Sequence, residues 1–455
     1  LVYKQINKFD FSINNFKNTL EINPNFYQGS NNLGVVYLEK DQLDEAIDLF
    51  NKCIQINQGF VEAYNNLGMA LNKKKKYHSA ILILEHGLRI DPNFKNIFIN
   101  LAIAYEAVGR VFEAIKLYEK EININKTDKI LMGLGNCWCS IGEIIKGLDC
   151  YKESLKLNPE NLAVYQNYIF NLNYLENFKI EDYFNIIEKM KLILKKYNDQ
   201  EIKTIPSANT DKKIKIGFVT ADFRKHAVGY QVFDVIKNLA NNNDFELYAY
   251  YNDDTEDILT ENFKLLFKSW ENIFSMNNLQ IIKKIKQDNI KILVDLSGYT
   301  AGNRIEVFFN KPAQIQVSWA GYLASTGLKE IDYRFTDKYA SPPETQKYFV
   351  EKFYYLPNGF QCYTPPINID SVKNYNRDSK YNIHLCCFNN PTKLSIPTID
   401  TFCKVLKSLP NSKLFLRYCY YKSSYYNASI LKLFTDRGIE KDRIDIFRDL
   451  ILKDI

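Results

Sequence analysis

The first third of the chain repeats itself. The turn sequences INPN at Ile22, INQG at Ile56, IDPN at Ile90 and LNPE at Leu157 recur, with ININK reaching Asn125, at spacings close to 34 residues. Other positions keep phase with them. NNLG at Asn31 to Gly34 returns at Asn65 to Gly68, and NLA follows at Asn100 to Ala102. A small residue comes next in each unit (Ala46, Ala80, Ala114, Gly147) and a bulky one four positions later (Phe50, Leu84, Tyr118, Tyr151). Such a period excludes one closed core for this region, because each unit buries its apolar face only against its neighbours. Two antiparallel helices per unit fit the spacing. Gly and Ala let the helices approach, the large residues fill the gap beside them, and Pro92 and Pro159 stop helices between units.

The pattern resembles the tetratricopeptide repeat over residues 1–175, entered part-way through a unit. Asn32, Asn66, Asn100 and Asn167 each fall one position before the Leu-Gly site, and Gly133 breaks the series. The resemblance implies that this position points into the concave groove of an α-solenoid. An amide there donates to and accepts from an extended backbone, so acceptor polypeptides are the expected partners.

With 455 residues the chain is too long for one domain. Its net charge of +6 is dispersed, and the run Lys73 to Lys76 falls at a helix–helix turn, so no nucleic-acid footprint is expected. No segment reads as a membrane span or a signal peptide. The nine cysteines include Cys137-Trp-Cys139 and Cys386-Cys387 but no CxxC pair, which disfavours a zinc or disulfide framework and favours a reducing, cytoplasmic setting, or a nuclear one in a eukaryote. The first residue is Leu, and the last residues carry no closing signal, so the chain reads as a fragment at both ends.

Residues 176–212 read as a capping helix and a polar linker. The pattern then changes. IKIGFVT (Ile214 to Thr220), FELYAYY (Phe245 to Tyr251), KILVDLSGY (Lys291 to Tyr299), QIQVSWAGY (Gln314 to Tyr322) and IDYRFTD (Ile331 to Asp337) are strand-like and alternate with amphipathic helices. That predicts a parallel, doubly wound lobe over 213–366, with ligands at the carboxyl ends of its strands. Asp222, His226, Ser297, Tyr299, Thr300, Gly321, Tyr322, Ser325, Thr326 and Gly327 gather at those ends. A second α/β unit spans 381–455, with strands at YNIHLCCFNN, KLFLRYCYY and RIDIF, and stops before a full sheet is complete.

The repeats together with IGFVTADFRKHAVGY, ILVDLSGYTAGNR, KPAQIQVSWAGY, STGLKEIDYRFTD and FNNPTKLS resemble the protein O-glycosyltransferases, the family of O-GlcNAc transferase and its SPINDLY relatives. The resemblance covers nearly the whole chain. It implies a GT-B-type enzyme of two facing Rossmann-like lobes with a nucleotide sugar between them, inverting, and without a required metal or other cofactor. It implies transfer of GlcNAc from UDP-GlcNAc to Ser or Thr of proteins. By motif, His226 matches the histidine beside acceptor and sugar, Asp288 an acid of the same lobe, and Lys393 the lysine on the nucleotide diphosphate. Tyr299, Thr300, Thr326 and Gly327 fall in motifs of the donor site. Asn390 stands where SPINDLY-type members carry Asn and O-GlcNAc transferases often carry Gln, and QCYTPP at Gln361 also resembles that branch, which brings GDP-fucose in as an alternative donor. Leu323 departs from the family's usual Pro. The family's later Thr-rich loop and ribose-binding acid are missing, so this stretch alone is expected to be inactive.

Transfer to a hydroxyl needs the proton removed during attack and the charge on the leaving diphosphate neutralised. Lys393 suits the second task. His226 is open to two roles, general base or positioning residue. Asp222 is expected to bond Arg224 or cap the next helix. Tyr299 and Tyr322 either line the pocket or pack. His78, His86 and His384 read as structural. Two rival readings stand beside the enzyme: a repeat scaffold with a vestigial transferase region, and a transferase acting on glycans or lipids.

Overall fold

The computed structural model describes residues 9–177, 179–197, 213–365, 380–418 and 424–447. The polar linker at 198–212 lies outside them. The chain divides into two compact units, one formed by Leu1–Pro159 with Tyr375–Ile455 and the other by Glu160–Asn374.

In the first unit, helices α1 (Phe9–Ile22), α2 (Tyr27–Glu39), α3 (Leu43–Ile56), α4 (Val61–Lys73), α5 (Tyr77–Ile90), α6 (Asn96–Ala107), α7 (Val111–Ile122), α8 (Asp128–Ser140) and α9 (Ile144–Leu157) follow in order, each packed on the next. The small–large logic holds at atomic distance. A β-carbon at Gly34 would lie 2.6 Å from Phe50, one at Gly68 2.3 Å from Leu84, and one at Gly135 2.6 Å from Tyr151. Helices that close leave room for nothing larger than hydrogen at the crossing.

In the second unit, α10 (Leu162–Leu172) and α11 (Ile180–Tyr197) precede β1 (Ile214–Thr220), α12 (Ala227–Ala240), β2 (Phe245–Tyr251), α13 (Ile258–Lys264), β3 (Ser269–Asn272), α14 (Asn278–Gln287), β4 (Ile292–Asp295), α15 (Ile305–Phe309), β5 (Ile315–Ser318), β6 (Tyr333–Thr336) and β7 (Lys352–Tyr355). The strands form one parallel sheet in the order β3-β2-β1-β4-β5-β6-β7. The order reverses between β1 and β4, and at such a switch point the flanking loops part to leave a crevice at the strand ends. The motif helix α10, which the repeat period assigns to the solenoid, belongs to this unit. Its Gln166 accepts from Asn303 at 3.3 Å and donates to Glu306 at 2.8 Å. Sequence patterning misses β3 and β7, the two edges of the sheet. Edge strands are short and half-exposed, so they show no continuous apolar run.

The chain then returns to the first unit with β8 (Ile383–Cys387), α16 (Ile396–Ser408), β9 (Ser412–Arg417), α17 (Ser424–Thr435) and β10 (Ile444–Phe447), a parallel sheet in the order β10-β9-β8. Buried Arg443 ties the end of α16 to β9 by donating to the carbonyls of Leu406, Leu409 and Ser412. This small lobe packs on the repeats. Tyr426 is buried, donates its hydroxyl to the Ile141 carbonyl at 3.0 Å, and sets its ring 5.8 Å from that of Phe112.

Candidate active site

At the switch point β1 runs out into Ala221-Asp-Phe-Arg-Lys-His226, and α12 starts at Ala227. Gly229 makes the tight entry to α12 possible, since a β-carbon there would meet the Arg224 carbonyl at 2.3 Å. His226, not Asp222, is the N-cap, its Nδ1 lying 3.3 Å from the Val228 N–H. The same Nδ1 lies 3.3 Å from Oδ1 of Asp222, which is nearly enclosed, while the imidazole is 41% exposed. Burial raises the Asp222 carboxyl above its ordinary range, opposed by the charges of His226 and Arg224 and helped by that of Asp253. Arg224 stands between the acids, 3.4 Å from Asp253 and 3.8 Å from Asp222. The expected Asp222–Arg224 contact is therefore present but long, and the His226 imidazole lies nearer to Asp222 than Arg224 does.

Nδ1 carries at most one proton in neutral imidazole, so it either donates to Asp222 or accepts from Val228. Donation to Asp222 leaves Nε2 as an open lone pair. Acceptance from Val228 leaves Nε2 as a donor. The Val228 amide belongs to the first turn of a helix, where water satisfies orphan N–H groups readily. The base form therefore costs the fold little.

The turn after β4 comes beside this loop. A β-carbon on Gly302 would lie 2.6 Å from Ala221, and the Gly302 carbonyl accepts from Asn252 at 2.8 Å. Arg304 donates to Asn252, Asn278 and the Ile273 carbonyl, tying the strand-end loops together. Asp295, which ends β4, is 2% exposed and accepts from the N–H groups of Ser297 and Gly298. Burial lifts its carboxyl to about 6, against the pull of those donors. The sequence reading passed over Asp295. Its signal was an acid closing an apolar strand directly before Leu-Ser-Gly-Tyr.

The remaining expected residues fall into separate places. Thr300 closes its own turn by donating to the Ser297 carbonyl at 2.8 Å. Tyr299, Thr326 and Gly327 come together, but inside the lobe. Tyr299 donates to the Thr326 carbonyl at 2.7 Å, and Thr326 is fully enclosed with its N–H 2.6 Å from Glu351. These side chains support the crevice edge instead of lining it. Tyr322 packs in the same cluster, its ring 5.4 Å from that of Tyr299. Asp288 is a correction of place. It follows α14 and precedes β4, at the amino-terminal edge of the sheet, where Lys284 at 2.6 Å and Tyr250 at 2.7 Å take up its oxygens. In a parallel sheet the residue before a strand lies opposite the ligand edge.

Lys393 belongs to the first unit. It ends the short 3-10 turn Pro391–Lys393 beyond the carboxyl end of β8, is exposed, and reaches Asn389 only at 3.4 Å. Asn390 caps that turn, its side chain accepting from the Thr392 N–H at 3.1 Å. A β-carbon on Gly142, in the fourth repeat, would lie 3.5 Å from the Pro391 carbonyl.

The asparagine series is a correction of role. Asn66 donates to Asn31 at 2.9 Å, and Asn100 donates to Asn65 at 2.8 Å. These two motif amides each clamp the preceding repeat through their N–H groups. At the next step the donor position is Gly133 and its counterpart acceptor position is Ile99, so the pair is lost on both sides. Asn167 lies in α10, in the other unit. His86 stacks on Tyr64, and His384 packs on Phe415, as structural histidines do.

Residues 182–364 match the model described as Glycosyl transferase family 41. This stretch is a glycosyl transferase family 41 domain. Tetratricopeptide repeat models match 15–48, 61–94 and 97–130 ahead of it. Among curated proteins, this chain is 30% identical to a probable UDP-N-acetylglucosamine–peptide N-acetylglucosaminyltransferase SPINDLY of Oryza sativa subsp. japonica, over 66% of this chain and 33% of the relative. It is 31% identical to the SEC protein of Arabidopsis thaliana, over 53% of this chain and 25% of the relative. It thus spans about a third of the length of the first curated relatives it matches. A mutant O-GlcNAc transferase of Thermobaculum terrenum superposes with a TM-score of 0.77 at 20% identity, over 87% of this chain and 75% of that one. At that identity the likeness shows the fold of repeats followed by α/β lobes.

Proposed function

We propose that this chain is part of a protein O-glycosyltransferase that moves GlcNAc from UDP-GlcNAc to a Ser or Thr hydroxyl. The observation that carries the reading is His226, half open at the switch point of a family 41 sheet, with the enclosed Asp222 carboxylate 3.3 Å from its Nδ1. In the reaction the acceptor oxygen attacks the anomeric carbon, and its proton passes to Nε2 of His226. The bond to the diphosphate breaks on the opposite face, inverting the centre, and its electron pair stays on the leaving phosphate oxygen. Asp222 steadies the imidazolium. Lys393, exposed and weakly engaged within its own unit, is assigned to the donor diphosphate by its motif alone. The side-chain oxygens of Asn66 and Asn100 receive backbone N–H groups of the acceptor polypeptide.

GDP-fucose is the second donor to test, because of Asn390. That side chain already caps its own turn, which gives it a structural task independent of the nucleotide base. The experiment measures label transfer to acceptor protein by the full-length protein and its His226→Ala and Lys393→Ala variants. Loss of at least a hundredfold in kcat is expected for each, and wild-type rates in both sink the assignment. Titration with UDP-GlcNAc and GDP-fucose decides the donor. Label appearing in small glycans or lipids and never in protein overturns the acceptor class, and no transfer at all favours a scaffold.

A further inference from the structure

The segment Tyr322–Gly327 leaves the carboxyl end of β5, on the ligand edge of the sheet. It is held from more directions than a surface loop requires. From below, Arg334 of β6 donates to the Tyr322 carbonyl at 2.8 Å and reaches that of Ala324 at 3.4 Å. Glu351, just before β7, receives the Thr326 N–H at 2.6 Å, the Thr326 hydroxyl, and the Ser325 hydroxyl at 2.7 Å. From the side, Tyr299 donates to the Thr326 carbonyl. From the helices ahead of the sheet, Asn173 donates to the Tyr322 hydroxyl at 2.9 Å, and Tyr183 meets that hydroxyl at 2.7 Å. The backbone is also pinned. A β-carbon on Gly321 would lie 2.1 Å from the Leu296 carbonyl oxygen, and Gly327 has φ +68 with Ile187 2.6 Å from its missing β-carbon.

Arg334 and Glu351 are 2% and 1% exposed. Enclosing a guanidinium and a carboxylate costs several kcal/mol each before any partner is found. Among the described residues the Arg334 side chain hydrogen-bonds only to this loop, and its buried Nε has no hydrogen-bond partner there. Apolar side chains of the same volume fill such a place more cheaply. What the ions add is a fixed backbone path for one strand-end loop. We infer that Arg334 and Glu351 are positioning residues for the proposed transfer, holding Tyr322–Gly327 at the crevice edge so that the bound reactants meet a preset surface. This rests on the glycosyltransferase reading above.

The test uses the full-length protein with Arg334→Met, Arg334→Lys, Glu351→Gln and the milder Ser325→Ala, which remains informative where a buried-ion variant does not fold. Two readouts are taken. Amide exchange at 324–328 is expected to quicken at least tenfold in Glu351→Gln while β1 and β4 keep their protection. In folded Arg334→Met and Glu351→Gln, kcat is expected to fall at least tenfold with the donor KM within threefold. Ser325→Ala shows the same split at about threefold, and Arg334→Lys recovers part of the loss. Unchanged exchange, or normal kcat despite a loosened loop, overturns the positioning role alone. A wild-type protein that transfers no sugar overturns the functional reading and this role with it, while the exchange data still report whether the loop is anchored.

Discussion

Asp295 gives the first lobe a pH response that can be assigned to one carboxyl. In the unfolded chain it titrates near its ordinary value of 3.8, and in the fold burial moves it to about 6. The sign follows from linkage. Below the unfolded value both states hold the proton and the fold bears no cost. As pH rises through about 6, the folded state must enclose a charge that the unfolded state leaves in water, and stability is lost. The whole effect is on the order of 3 kcal/mol, at ~1.4 kcal/mol per pKa unit. Asp295→Asn removes it, so the stability of the variant relative to wild type is expected to rise between pH 4 and pH 6. Urea titrations across that range check this, and a pH-independent difference contradicts it. At the same scale, Gly321→Ala forces a β-carbon onto the Leu296 carbonyl, where backbone must give way. A loss of about 2 kcal/mol or more is expected, in the range of core overpacking.

Between elements, the amide pairs define how one repeat meets the next. Asn31 and Asn65 are 6% and 8% exposed, and their oxygens accept from Asn66 and Asn100. Asn66→Ala strands a buried acceptor, so a loss of about 1–2 kcal/mol is expected. Removing Asn31 as well costs less than the sum of the two single changes, because the stranded group is gone. Denaturant unfolding of the four proteins of the cycle measures this, and strict additivity contradicts the pairing. The break at Gly133 has its own cause. A β-carbon there would lie 2.6 Å from the Tyr118 ring, so the fourth repeat has no room for Asn at this position. The period of the repeats was legible in the sequence because small–large packing recurs with it. The pairing partner of each Asn was not, because it lies one repeat away and one position off phase.

At the level of the whole molecule, the compact units do not follow the order of the chain. The residues from Tyr381 onward, read as a separate lobe, share one continuous apolar core with the repeats, in which Tyr426, Ile430 and Phe434 join Val111, Ile115 and Ile141. Truncation after residue 374 therefore exposes the Tyr426 contact surface on the fourth repeat. Limited proteolysis is expected to cut near Ile141 at least several-fold faster in the truncated protein than in the intact one. Equal rates show that the repeats stand alone there. Likewise α10, a repeat helix by period, is joined to the family 41 domain through Gln166 and Asn173. Expression of the domain from Lys213 onward removes Asn173 and Tyr183 and is expected to loosen the Tyr322–Gly327 loop.

The sequence alone determined the helical repeats, the interior strands β1, β2, β4, β5 and β6, and the place of His226 at a strand end, because each is written in local periodicity and turn chemistry. It also carried the family, through motifs that stay contiguous along the chain. Only the tertiary structure decided that β1 and β4 flank the switch point, that β3 and β7 close the sheet, and that Asp288 faces away from the ligand edge. It alone turned Tyr299 inward onto the Thr326 carbonyl and Thr326 onto Glu351, and set Asp222 against His226. The division has one physical reason. Period and propensity act between neighbours in sequence, whereas strand order, burial of charge and the partner of a polar group depend on contacts between residues far apart in the chain.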